Sequence, residues 1–199
     1  MNDASDHDPR FSKVLDFWFG MPGEADYLQT RKQWFEKDAA FDARIAEHFG
    51  PLIDGALRDQ LRAWSTTPNG AVAQIIVLDQ FTRNTRRGTA DMFSGDALAL
   101  AAAKALCRDG GERGLPGVFR QFVYLPFEHS EDIADQHESM RLFAQLGNDE
   151  PALSGLSTWA QGHLDIVARF GRFPHRNALL GRDSTPEEIK FLEQPGSGF

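Results

Sequence analysis

The run AQIIVLDQF, Ala73–Phe81, is the one stretch of this 199-residue chain that reads as either helix or strand. Its apolar residues are almost continuous, so hydrophobic periodicity alone does not decide between the two. Its length and flanks favour helix. STTPNG before it is a turn whose Asn69 is a plausible helix cap. TRNTRRG after it is polar and does not alternate. With a helix through Ile75–Leu78 no strand pattern is left anywhere, and the fold class is all-α.

The same period extends outward in both directions. Upstream, DPRFSKVLDFWFG has Asp8 as N-cap, Pro9 at the first helical position and Phe11, Val14, Leu15, Trp18 and Phe19 at helical spacing, with Gly20 as the stop. A short helix is expected around Trp34 and Phe35. DAAFDARIAEHFGPLIDGAL repeats the pattern, and its Gly50-Pro51 pair is expected to break or bend it. Downstream, one helix stops at Gly110-Gly111, the next is helical up to Pro126, a third spans Ile133 to Leu146, and a fourth ends at Gly171. Thr185, Pro186 and Glu188 make a capping box for the last. The expected organisation is a single all-helical domain over residues 9–193, a disordered N-terminus at 1–8 and a flexible tail at 194–199.

Composition narrows the function classes. Hydrophobic residues make up 41%, which is globular rather than disordered. No apolar run approaches the roughly 18 residues needed to span a bilayer, and MNDASDHDPR lacks the basic and apolar regions of a secretory signal. The expectation is a soluble cytoplasmic protein with no membrane partner. The net charge of -8 argues against nucleic acid as a partner. The one cysteine, Cys107, excludes an internal disulfide and a cysteine-cluster metal site.

Three segments place unusual polar residues among apolar ones. In LDQFTRNTRRG, Asp79 and Arg83 share a helix face; they form an ion-pair scaffold or contact a ligand directly, together with Asn84 and Arg87. In RQFVYLPFEHSEDIADQ, Arg120 and Tyr124 are four apart, and Pro126 precedes His129, Ser130 and Glu131. Ser130 is a candidate cap for the next helix, which leaves His129 unexplained. In GHLDIVARFGRFPHRNALLGR, His163 precedes a run from Arg169 to Arg182 that contains Arg172, His175 and Arg176 and no carboxylate. The chain has 16 Arg against 5 Lys, and arginine's planar fork suits carboxylate or phosphate. Convergence of the arginine segments would make a cationic pocket selecting small anions. The alternative is a set of Arg–carboxylate networks tying helices together. His129, Glu131, His163 and His175 are acceptable metal ligands, but no metal-binding spacing is present and the arginines oppose a dication, so neither a metal nor a cofactor is expected.

LDQFTRN, YLPFEHSED.ADQ and RFGRFPHRN..LGR.STPEE..FL together resemble the bacterial family catalogued as domain of unknown function 924. WFEKDAAFDARIAEHFGPLIDGAL and W...P.GAVAQIIVLDQF are similar to it too, so the resemblance runs from Phe11 to Leu192. Thr82 stands where the family usually has proline. The resemblance implies an all-helical, tetratricopeptide-like superhelix and no established reaction. Two functions from different classes fit. One is a pocket for a small anionic ligand, lined by Asp79, Arg83, Asn84, Arg87, Arg120, Glu131, His163, Arg172 and Arg176, with Tyr124, His129 and His175 as candidates for acid–base chemistry. The other is an adaptor whose concave groove takes a peptide or protein partner.

Overall fold

A computed structural model describes residues 8–198, which contain helices and turns and no strand. They divide into two compact units, Met1–Arg87 with Asp91–Pro126, and Gly88–Ala90 with Phe127–Phe199. Residues 1–7 of the expected disordered leader, and Phe199, lie outside the described residues. Asp8, also assigned to that leader, is anchored. It caps α1 (Pro9–Phe19) by accepting from the Arg10 N–H and accepts from Trp64 Nε1 at 2.9 Å.

The first unit is built on aromatic packing. α1 buries Phe11, Val14, Leu15, Trp18 and Phe19 on one stripe, as its helical spacing requires. Phe19 stacks on Phe119 with centroids 4.0 Å apart, and Trp18 meets Phe122 edge-on at 5.4 Å. Gly20, at φ +89, ends the helix in a conformation that side chains rarely adopt, and a Cβ there would crowd Arg31 and Tyr27. α2 (Ala39–Leu57) runs through Pro51 without the break that was one of the two outcomes expected there. The carbonyl that loses its N–H partner is that of Glu47, an exposed residue, where water can replace the missing bond.

Ala73–Phe81 is helical with a change of winding. α3 (Pro68–Ile75) passes into a π-helical segment, Ile76–Phe81, and then into α4 (Thr82–Thr85). Thr67, not Asn69, is the N-cap. Its hydroxyl accepts from the Gly70 N–H at 3.1 Å, with Pro68 at the first position. Gly95 abuts the Leu78 carbonyl so closely that any Cβ would overlap it, and α5 (Asp96–Arg108) starts there. α6 (Gly117–Glu128) passes Pro126 by two residues, and the first unit takes it as far as that proline.

In the second unit α7 (Ile133–Asp149) packs along α8 (Leu156–Phe170), burying Leu142, Phe143 and Leu146 from one and Ile166 and Val167 from the other. Asp132 caps α7, accepting from the Ala134 N–H at 2.8 Å. Ser130, the expected cap, instead bonds the Asp132 N–H and the Asp135 carboxylate. Gly171, left-handed at φ +70, ends α8. A 3-10 turn, Pro174–Arg176, and α9 (Pro186–Leu192) complete the unit, with the Thr185–Glu188 capping box in place. No helix among the described residues is long and apolar enough to cross a membrane.

Candidate functional site

Six of the residues singled out from the sequence belong to the first unit. Asp79, in the π segment, is fully buried. Arg83 lies between two carboxylates, 3.3 Å from Asp79 and 2.9 Å from Asp96 at the start of α5, with its guanidinium over the Phe93 ring. Asn84 donates to Asp42 at 2.6 Å, and Arg87 donates to the other oxygen of the same carboxylate at 3.1 Å. Asp42 sits in the first turn of α2. Arg83, Asn84 and Arg87 therefore tie helices of the first unit together, which is the scaffold reading of LDQFTRNTRRG. Arg120 donates from Nε to the Tyr124 hydroxyl at 3.1 Å, and both are buried. Burial pushes the Tyr124 phenol above its ordinary value, while the Arg120 hydrogen bond works the other way.

The other six belong to the second unit. Here three arginines of the run that holds no carboxylate of its own pair with acids from outside it. Arg172 makes a bidentate pair with Glu188, at 2.7 and 2.8 Å, and donates to the Asp183 carbonyl. Arg182 pairs with Glu131 at 2.7 Å and Arg169 with Glu187 at 2.8 Å. The acids lie outside the Arg169–Arg182 run, so a local reading of the sequence misses them. Glu131 also accepts from the Phe173 N–H at 2.8 Å, which fixes the start of the Pro174–Arg176 turn. Burial opposes its ionisation, but the bonds from Arg182 and Phe173 outweigh burial and hold its carboxyl below the ordinary value. Arg172, through its hydrogen bond, holds Glu188 down to about 2.

What remains forms a cluster around Phe173. His163, on α8, is buried. Its Nδ1 lies 2.9 Å from the Trp159 carbonyl one turn earlier and 3.3 Å from a Glu128 oxygen. A carbonyl can only accept, so Nδ1 carries the proton. Burial pushes His163 down to about 3, and His129, Arg176 and His175 push the same way. The ring is neutral at pH 7, with Nε2 as a lone-pair nitrogen. His129 stands 6.4 Å from His163 between ring centroids, the rings of His163 and His175 each lie 5.6 Å from that of Phe173, and the Arg176 guanidinium lies over Phe173 at 4.5 Å. The second unit thus brings together His129, His163, His175 and Arg176, with Glu128 beside them, and commits Glu131 and Arg172 to ion pairs. No group of three or more His, Cys, Asp or Glu among the described residues is arranged to hold a metal ion.

Phe173 was not singled out from the sequence, and neither were Asp42, Asp96 and Glu187 as partners. Glu188 was read as a helix cap alone. The phenylalanine carried one usable signal, its position between Arg172 and His175 in an aromatic, cationic run.

The chain can now be set beside known proteins. The family model described as bacterial protein of unknown function, DUF924, matches residues 14–196. The solved structure of a protein of unknown function from Agrobacterium tumefaciens is 39% identical. The match covers 93% of this chain and 97% of that one, with a TM-score of 0.81. No functionally curated protein matches the chain.

Proposed function

We propose that the chain, which belongs to the bacterial DUF924 family, binds a small anion at the imidazole–guanidinium cluster of its second unit. The observation that carries this reading is that His163, His175 and Arg176 meet at the Phe173 ring, with His129 beside His163. Arg176 bears a fixed positive charge, and Glu128 supplies a negative one 3.3 Å from His163. Any proton taken up by the imidazoles adds positive charge beside Arg176 in a poorly solvated place. A carboxylate or phosphate relieves that cost, and the arginine fork supplies its geometry. His129 and His175 are the proposed hydrogen-bond donors to it. His163, held neutral, orients the cluster without adding charge. No reaction is assigned.

The test is calorimetric titration of the protein with inorganic phosphate, citrate and acetate at pH 6 and pH 8. The expected result is binding of at least one anion, tighter at pH 6, with proton uptake. Absence of binding by all three, or affinity unaffected by His175→Ala and by His129→Ala, overturns the reading.

A further inference from the structure

The first unit contains a cavity of about 660 Å³ that the anion cluster does not involve. Its volume lies within the range of about 300–1,000 Å³ typical of small-molecule sites. Its lining includes Ser12 and Asp16 of α1, the rings of Phe11 and Phe119, Tyr27, and Asn69 at the start of α3. Gly20 lets the chain double back so that Tyr27 can stand there, since a side chain at that position would meet the Tyr27 backbone. Asp16 is the only charged residue of the lining, and among the described residues its carboxylate has no hydrogen bond or ion pair.

We infer that this cavity binds a small organic ammonium ion carrying an apolar group. Half-buried in a partly apolar cleft, an unpaired carboxylate is a poorly compensated charge, and a cationic ligand supplies the missing partner. The aromatic rings favour the same sign, because a ring face attracts cations, and they cover the apolar body. The positive end of α3, which also lines the cavity, does not reverse this preference. Thr67 already satisfies one of its first-turn N–H groups through its own hydroxyl, and Pro68 has none to offer.

The experiment uses three probes of one shape and different charge: benzylammonium, benzyl alcohol and benzoate. Binding is followed by amide chemical shifts of the intact protein. Benzylammonium is expected to bind at least about tenfold more tightly than benzyl alcohol, a factor worth 1.4 kcal/mol, with shifts at Tyr27 and Asn69, and benzoate is expected not to bind. Asp16→Asn should bring benzylammonium to the level of the alcohol. Asn69→Lys, at an exposed residue of the same lining, should weaken benzylammonium and leave the alcohol unchanged. This second variant tests the idea even if Asp16→Asn disturbs the fold. Equal binding of ammonium and alcohol, shifts away from this cavity, or no response to Asn69→Lys overturns the inference.

Discussion

Arg83 and Arg176 both lie in arginine-rich stretches downstream of an apolar helix, the first with Asp79 four residues before it, yet their settings in the folded chain differ. Arg83 is gripped by Asp79 and Asp96. Arg176 lies flat on Phe173, in a neighbourhood shared with three imidazoles. The density of arginine is therefore uninformative by itself. What separates a structural tie from a candidate site is the chemistry that other elements bring to the guanidinium. Carboxylates neutralise it and fix helices. Imidazoles add hydrogen-bonding groups of variable charge beside it, which suits an anion arriving from solution.

The sharpest attack on this contrast is Asp79→Ala. Removing one of its two carboxylates leaves Arg83 with Asp96 alone, and the expected loss is about 1–3 kcal/mol in urea unfolding. A loss under about 1 kcal/mol would mean that the tie is not structural. The second concerns pH. His163 takes its proton near 6.5 in the unfolded chain and only near 3 when folded. Above pH 6.5 the group is neutral in both states and has no effect. As pH falls from 6.5 towards 3, the unfolded state takes up a proton that the folded state refuses. Stability then declines by up to about 1.4 kcal/mol per pH unit. His163→Gln should flatten that decline in a series of unfolding curves, and an unchanged slope would remove His163 as its source.

Smaller again is Arg176→Lys, which keeps the charge and loses the fork. Anion affinity should fall by about 1–3 kcal/mol while thermal stability without ligand barely moves. If this variant instead unfolds as readily as Asp79→Ala, Arg176 is a tie like Arg83 and the contrast fails. The smallest effect is expected at Thr185→Ala. Loss of this cap should cost about 1 kcal/mol and loosen α9, which carries Glu188 to Arg172. The check is hydrogen exchange at the Glu188 amide, which should speed up in the variant.

Much of the fold was legible because its signals are local. The Thr185–Glu188 box, Gly20 and Gly171 as helix stops and the apolar stripe of α1 each depend on residues within one or two turns. Pro51 misled because its cost depends on which carbonyl it orphans, and Glu47 is exposed. Among the candidate residues the pairs one helical turn apart, Asp79–Arg83 and Arg120–Tyr124, were legible, and the long-range partners were not. Asn84 finds Asp42 from 42 positions away, and Arg182 finds Glu131 from 51. Such pairings are set by how helices pack, which no spacing rule contains. Phe173 was hidden for a related reason. A phenylalanine reads as core until the imidazoles around it are placed.

The π segment at Ile76–Phe81 sets a phase as well as a shape. Each residue of an ordinary helix advances the side-chain direction by about 100°, and a wide turn admits an additional residue without ending the helix. Everything after it is rotated relative to everything before it. Thr82, whose hydroxyl reaches back five residues to the Val77 carbonyl at 3.1 Å, marks the seam. Losing one residue from this stretch would leave a respectable helix with unchanged composition. It would also swing Arg83, Asn84 and Arg87 away from Asp96 and Asp42 together. An insertion or deletion of one position in this stretch would require compensation in both α2 and α5.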